Sequence, residues 1–219
     1  MNGRGAPEAG EIDAWLGNVR HWRGTPPEDG PPSILIGGAV RCGKSSVAKV
    51  LAGRTGMVVL PTDAIDRRFC KGVPPGHERA ILGPVLRHVL NRFPRGLILE
   101  GVMLCERAAL VLPTAQVLAL PVHVIGYAEG SVEQKLAHIE AYRATGECWT
   151  LQAGLDKEAL RRQAHAIIAE SRVLRARSDA MGFVYHELDS ARFASEVLRV
   201  ADRIAPGRCV PKLDRAGPL

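Results

Sequence analysis

An α/β fold with a parallel sheet is predicted for this chain by three observations. Short, mostly apolar runs recur along it: Ile34-Leu-Ile36, Met57-Val-Val-Leu60, Leu97-Ile-Leu99, Val122–Tyr127 and Phe183–Leu188. Between these runs the apolar residues fall at steps of three and four. The first run passes through a glycine-rich turn straight into such a helical stretch. Strands that are apolar on both faces must be covered on both faces, and helices alternating with strands provide that cover.

Taken in order, residues 1–9 are Gly, Ala, Pro and charge and predict a tail. Ile12, Trp15, Leu16 and Val19 recur at helical spacing and predict a short helix from Glu11 to about Trp22. The stretch Thr25-Pro-Pro-Glu-Asp-Gly-Pro-Pro32 cannot continue it and reads as a linker. Residues 1–32 therefore form an N-terminal extension whose helix is expected to dock on the domain, with binding to a partner as the alternative. The domain proper spans 33–205 and a C-terminal tail 206–219. After the strand at Ile34, helical spacing from Gly43 to about Arg54 places Val47, Val50 and Leu51 on one side. Met57–Leu60 is the second strand, and His77–Phe93 follows as a helix through Ile81, Val85, Leu86, Val89 and Leu90. Leu97–Leu99 is the third strand and Val122–Tyr127 the fourth. Helices at about Ser131–Arg143 and Asp156–Met181 precede the fifth strand, Phe183–Leu188, and a last helix runs to about Ile204.

Composition narrows the function classes. A length of 219 residues suits one domain of about 150–200 residues with short appendages. With 46% hydrophobic and 24% charged residues the chain is neither disordered nor fibrous. Lys and Arg number 29 against 23 Asp and Glu, a formal charge of +6, and most of the positive charge is arginine, whose planar fork pairs with phosphate oxygens. Aromatics are only 5%, too few for a single-strand binder built on stacking platforms, so nucleic acid is not the expected partner. Cys42, Cys70, Cys105, Cys148 and Cys209 are scattered with no C-x-x-C pair, which predicts reduced thiols rather than disulfides or a zinc site. There is no apolar leader, and Pro, Gly or charge breaks every apolar run before about 18 residues; a soluble, cytoplasmic protein with no membrane partner is expected.

The decisive feature is Gly38-Ala-Val-Arg-Cys-Gly43-Lys44-Ser45, which fits G-x-x-x-x-G-K-[ST] without a mismatch. It follows a strand and opens a helix, as its physics requires: glycines let backbone N–H groups approach phosphates, and the helix N-terminus adds positive potential. Gly38, Ala39, Val40, Arg41, Cys42, Gly43, Lys44, Ser45 and Ser46 are thus candidate nucleotide-binding residues. Lys44 is suited to the β- and γ-phosphates of ATP and the Ser45 hydroxyl to Mg2+. Cys42 reads as a small filler of the loop.

P-loops serve kinases, GTPases and motors, so the rest of the site must discriminate. No N-K-x-D run exists for guanine, and the third strand ends in Glu100-Gly101 rather than in the Asp expected of a motor ATPase. Ligands of a parallel sheet collect outside the carboxyl ends of its strands. Thr62-Asp63 after the second strand and Glu100 after the third therefore face a bound triphosphate. One carboxylate can accept a substrate hydroxyl proton and the other can hold metal with Ser45; Asp63 is the candidate for the acceptor and Glu100 for the metal. A simpler role for Asp63 is a helix N-cap.

On the P-loop, Thr62-Asp63, Glu100-Gly101 and an arginine-bearing segment before the fifth strand, the chain resembles the small P-loop kinases of the adenylate kinase, shikimate kinase and chloramphenicol phosphotransferase group. The resemblance covers about Ser33 to Ile204. It implies a P-loop NTPase fold with a five-stranded parallel sheet ordered 2-3-1-4-5, helices on both faces and a helical lid, here within about 131–181. It also implies an acceptor-binding Asp at the position of Asp63. Trp149-Thr150 and Ser171-Arg-Val-Leu174 are similar to an adenylate-kinase-like group within it. The D-x-D pattern of shikimate kinases is absent, since Ala64 and Ile65 follow Asp63, so neither shikimate nor a nucleoside monophosphate carries over as substrate.

Arg161, Arg162, Arg172, Arg175 and Arg177 crowd one predicted helix whose buried stripe is Leu160, Ala164, Ile167, Ser171 and Leu174. Arg172 and Arg175, on one flank of that stripe with Arg161, are candidates to clamp the transferring phosphoryl group. Arg41, Arg67 and Arg68 are further phosphate candidates, and Cys70–His77 is expected to close the acceptor pocket. His77 reads as a helix-start residue, and His123 and His186 as core or edge residues. The expected function is an ATP- and Mg2+-dependent kinase of a small molecule: a nucleoside, a sugar-like metabolite or a natural product such as an antibiotic. A zeta-toxin-like sugar-nucleotide kinase is a variant of it. The alternatives are a regulatory or nucleic-acid-associated P-loop ATPase and a nucleotide-binding module without catalysis.

Overall fold

The computed structural model describes residues 6–18, 26–74, 76–101, 120–143 and 154–206. Five strands, β1 (Ile34–Gly38), β2 (Val58–Pro61), β3 (Leu97–Glu100), β4 (Val122–Gly126) and β5 (Val184–Glu187), form one sheet in the order β2-β3-β1-β4-β5 with every neighbouring pair parallel. Around it lie α1 (Ala9–Leu16), α2 (Lys44–Thr55), α3 (Thr62–Ile65), α4 (Glu78–Arg92), α5 (Val132–Arg143), α6 (Lys157–Met181) and α7 (Phe193–Ile204). α3 runs on into a π-helical turn, Asp66–Cys70. This is the predicted architecture, and two boundaries differ in a way that matters for the site. β1 extends to Gly38 because Gly37 and Gly38 pair with Val124 and Ile125, and β3 extends to Glu100 because it pairs with both Ile36 and Pro61.

The unalternating apolar runs do mark buried strands: every residue of β1 and β3 is buried. Ile36, Leu60, Leu97, Ile98 and Leu99 meet Leu51 of α2 and Leu82 and Leu86 of α4, all at most 1% exposed, and each contributes about 1.5–3 kcal/mol by leaving water. α6 packs on β4 and β5 through the predicted stripe Leu160, Ala164, Ile167, Ser171 and Leu174. Its N-cap, Asp156, accepts from the Ala159 N–H at 2.7 Å. The expected Trp149-Thr150 pair lies outside the described residues, as do 144–153, the residues that join α5 to α6.

The N-terminal helix is docked. α1 begins two residues before the expected start and buries Ile12 and Leu16, and Trp15 meets the Phe69 ring edge-on at 5.1 Å. Asp13 accepts from His88 at 2.9 Å, a bond that holds its carboxyl below the usual range. Residues 26–32, the described part of the expected linker, and Ser33 after them are stitched to the entry of β3. Ser33 N–H donates to the Pro94 carbonyl, Gly96 N–H to that of Pro31 and Arg95 Nε to that of Gly30, at 3.0, 2.7 and 2.7 Å.

Candidate active site

The turn between β1 and α2 is a tightly packed loop. Gly43 has φ +91°, and a Cβ there would stand 2.8 Å from Phe193 Cε2, so backbone freedom and lack of a side chain are both needed. Arg41, at φ +57°, is the one non-glycine residue among those described with positive φ. Lys44 is 6% exposed, and its Nζ donates to the Ala39 carbonyl at 2.7 Å, with Cys42 Sγ at 3.8 Å. Cys42 is fully buried against Gly38, and burial pushes its thiol up. The unpaired N–H groups of the first turn of α2 supply the anion-binding end.

Register brings the carboxylates to this loop. Glu100 sits beside Ile36 of β1 on one side and Pro61 of β2 on the other. The Ser45 hydroxyl donates to its Oε1 at 3.1 Å. Burial pushes the Glu100 carboxyl up, Lys44 and the Ser45 bond pull it down, and Asp63 adds a smaller upward push. The net direction is upward. Gly101 lets the two strand ends close together, since a Cβ there would run into Thr62 Oγ1. Asp63 is exposed and is not an N-cap: Pro61 holds that position, and Asp63 lies inside the first turn of α3.

A cavity of about 410 Å³ joins these groups. Its P-loop wall is Val40, Arg41, Gly43, Lys44, Ser45 and Ser46, and its strand-end wall is Asp63, Glu100 and Gly101. Gly38, Ala39 and Cys42 do not line it; Ala39 serves through its carbonyl. The donor set fits Mg2+. A hydroxyl and a carboxylate stand within hydrogen-bond distance, and among the described residues no cluster of His, Cys, Asp or Glu could hold a metal alone. Mg2+ takes one or two protein oxygens and completes its shell with water and phosphate.

Arg172 and Arg175 are not on this cavity. Arg172 Nε donates to the Ala128 carbonyl at 3.0 Å and Arg175 to Glu129 Oε1 at 2.6 Å, both on the loop after β4. Arg161 pairs with Glu133 and Arg162 with Glu158. Arg68 pairs with Glu11 of α1 and does not line the cavity. The side chain of α6 that reaches the P-loop is Gln163, whose Oε1 accepts from Arg41 at 2.8 Å.

The remaining wall comes from residues the sequence reading passed over: Lys135, His138, Ile139 and Tyr142 of α5, with Phe193 at the start of α7. Lys135 is 1% exposed and donates to the Arg41 carbonyl at 2.9 Å. His138 lies 4.5 Å from the Phe193 ring, and burial holds its imidazole down at about 4. A signal was present. Val132, Lys135, Leu136, Ile139 and Tyr142 share one helical stripe, and a lysine in an inward stripe needs a reason.

No protein-family model and no curated protein matches the chain. Solved structures match in fold. A shikimate kinase from Bacteroides thetaiotaomicron superposes with a TM-score of 0.50 at 14% identity, covering 79% of this chain and 98% of its own. A gluconokinase from Sinorhizobium meliloti 1021 gives 0.45 at 19% identity, covering 80% and 94%. A structure from the PezAT chromosomal toxin-antitoxin system of Streptococcus pneumoniae gives 0.46 at 11% identity, covering 91% and 97%. The five-stranded parallel sheet in this order, with a phosphate loop after its central strand, is the fold of the small P-loop kinases.

Proposed function

We propose that the protein is an ATP- and Mg2+-dependent phosphotransferase acting on a hydroxyl of a small molecule: a nucleoside, a sugar-like metabolite or a natural product. The observation that carries this reading is a single cavity in which Lys44 and Ser45 of a phosphate loop face Asp63 and Glu100 from two neighbouring strand ends. Loop N–H groups and Lys44 bind and orient the phosphates. Ser45 and Glu100 would hold Mg2+, which when bound neutralises phosphate charge as a Lewis acid. Asp63 lies two strands from the P-loop strand, roughly 10 Å across the sheet. That offset suits a carboxylate that orients the acceptor hydroxyl and takes its proton. His138, Tyr142 and Phe193 suit the flat face of a nucleobase at the other end. The shared fold with a shikimate kinase supports transfer to a small acceptor, and no described helix is long and apolar enough to cross a membrane. We place the reaction in the cytoplasm, where ATP is at hand.

The test is a screen of nucleosides, sugars and natural products for acceptor-dependent ADP release, with Lys44→Ala as control. The expected result is at least one acceptor that accelerates ADP release in the wild type and not in the variant. ATP turnover stimulated by DNA or RNA without a small acceptor overturns the reading in favour of an ATPase.

A further inference from the structure

Lys135 is a buried cation of the cavity wall to which the roles above give no work. Its Nζ lies 2.9 Å from the Arg41 carbonyl oxygen, 3.5 Å from His138 Nδ1 and 3.7 Å over the centre of the Tyr127 ring. No carboxylate among the described residues bonds to it. Arg41, Cys42 and Lys44 face it from the P-loop and α2, Tyr127 from the end of β4 and His138 from its own helix. α6 contributes neutral Gln163, through Arg41, and α7 the Phe193 ring. Such an ammonium has lost its water without gaining a counter-ion and has two cations close by, so it gives up its proton readily. Burial first, with the like charges of Arg41 and Lys44, brings it down to about 7.

We propose that Lys135 is a phosphate-responsive latch: it ties α5 to the P-loop through the Arg41 carbonyl, and a nucleotide's phosphates draw it off that carbonyl as its amine takes up one proton. The N–H bond forms with a proton from solvent, and nothing leaves the nucleotide. Phosphate is the stronger partner, because a charge-assisted bond to an anionic oxygen outweighs a bond to a neutral carbonyl. The residue that the latch grips is Arg41, held with left-handed φ and tied a second time to Gln163 of α6. Release therefore removes one tie from a residue held with left-handed φ in the loop. His138, one turn along α5, packs on the Phe193 ring that abuts Gly43, so the same helix bears on the P-loop at two places. The proposal rests on the nucleotide-binding part of the function above.

Calorimetric titration of the intact chain with ATP and Mg2+ at about pH 7.5, in buffers of different ionisation enthalpy, reads the protons exchanged on binding. The expected result is net uptake of roughly half a proton or more per ATP, shrinking towards zero near pH 6, where Lys135 is already charged. Lys135→Met, which keeps the stem and loses the amine, should lack the uptake and bind ATP about tenfold more weakly. Lys135→Arg, charged at any working pH, should also lack it. Wild-type binding without buffer dependence overturns the latch, as does uptake that persists in Lys135→Met, which would put the proton on His138 or elsewhere. If Lys44→Ala abolishes ATP binding while the wild type stays proton-silent, the latch alone falls. If the wild type binds no ATP, the nucleotide reading falls with it.

Discussion

The two walls of the cavity each tie their lysine to a P-loop carbonyl, Ala39 for Lys44 and Arg41 for Lys135, but only one of them sets a carboxylate beside it. On the P-loop wall, Lys44 stands at the start of α2 and shares the crevice with Glu100, close enough for its charge to pull that carboxyl down. On the α5 wall, Lys135 reaches the same loop from outside, with no carboxylate among the groups that face it. One cation has an anion built into the neighbouring strand end. The other has none until something anionic arrives. In the function proposed above, the first arrangement suits a standing phosphate site, and in the proposed latch the second takes its charge from its occupant. One cavity thus holds two lysines within one loop's reach, one beside a carboxylate and one without.

The largest effect should come from the P-loop side. Lys44→Ala removes the point charge on the phosphates, and acceptor-dependent ADP release should fall at least about 10³-fold with the circular dichroism spectrum unchanged. Near-normal activity in that variant would break the comparison at its base. Asp63→Asn comes next. It keeps the shape and removes basicity, and we expect kcat to drop by about 10²–10⁴. ATP affinity should stay near normal and Tm within about 3 °C, since Asp63 contributes only a first-turn charge to α3. Loss of ATP·Mg2+ binding would instead move Asp63 to the metal and make Glu100 the base.

These two predictions concern the part of the site that the sequence made legible. A contiguous motif encodes the P-loop because every group it needs is supplied by one turn and one helix start. Asp63 and Glu100 were legible because each lies within three residues of the end of an apolar run, Leu60 and Leu99, and a parallel sheet gathers its strand ends. The sheet order itself came with the family resemblance. Lys135, His138, Tyr142 and Phe193 were not found, because nothing local fixes how α5 and α7 are rotated against the loop; that depends on packing of Leu136, Ile139 and Val197. Arg172 and Arg175 were placed by charge and helical phase, which give a face but not a position along it. Arg172 lies nine residues beyond Gln163, about 13–14 Å further along α6.

A third prediction concerns the strands beneath the α5–α6 wall. His123 Nδ1 and His186 Nε2 lie 3.0 Å apart across β4 and β5, and His186 Nδ1 is buried without a partner. Burial holds both imidazoles down at about 4. The unfolded chain binds these protons from about pH 6.5 downward while the folded chain refuses them until about pH 4. Stability from the pair is therefore full above about pH 6.5 and is lost as pH falls towards 4. Tm measured between pH 7.5 and 4 should decline through that window, and His123→Leu/His186→Leu should make the decline shallower. A residual slope is expected from His138, whose imidazole is held equally low. An identical slope in the double variant would show that the pair is not the source.

The smallest effects should come from the arginines that charge and spacing had nominated as phosphate clamps. Arg172 and Arg175 grip Ala128 and Glu129, and Glu187 grips the same two residues from the other side by accepting their N–H groups at 3.0 and 2.9 Å. This loop launches α5, so the arginines can influence catalysis only by steadying the helix that carries Lys135. Arg172→Ala removes a partner from a half-buried carbonyl. It should lower Tm measurably, with kcat and KM for ATP each changing by less than about tenfold. Arg175→Ala breaks an exposed ion pair and should do less, with its effect on Tm vanishing in high salt. If either substitution instead costs about 10³ in kcat with KM for ATP unchanged, the arginine reaches the transferring phosphate during turnover. The α5–α6 wall would then swing in by more than the Lys135 latch requires.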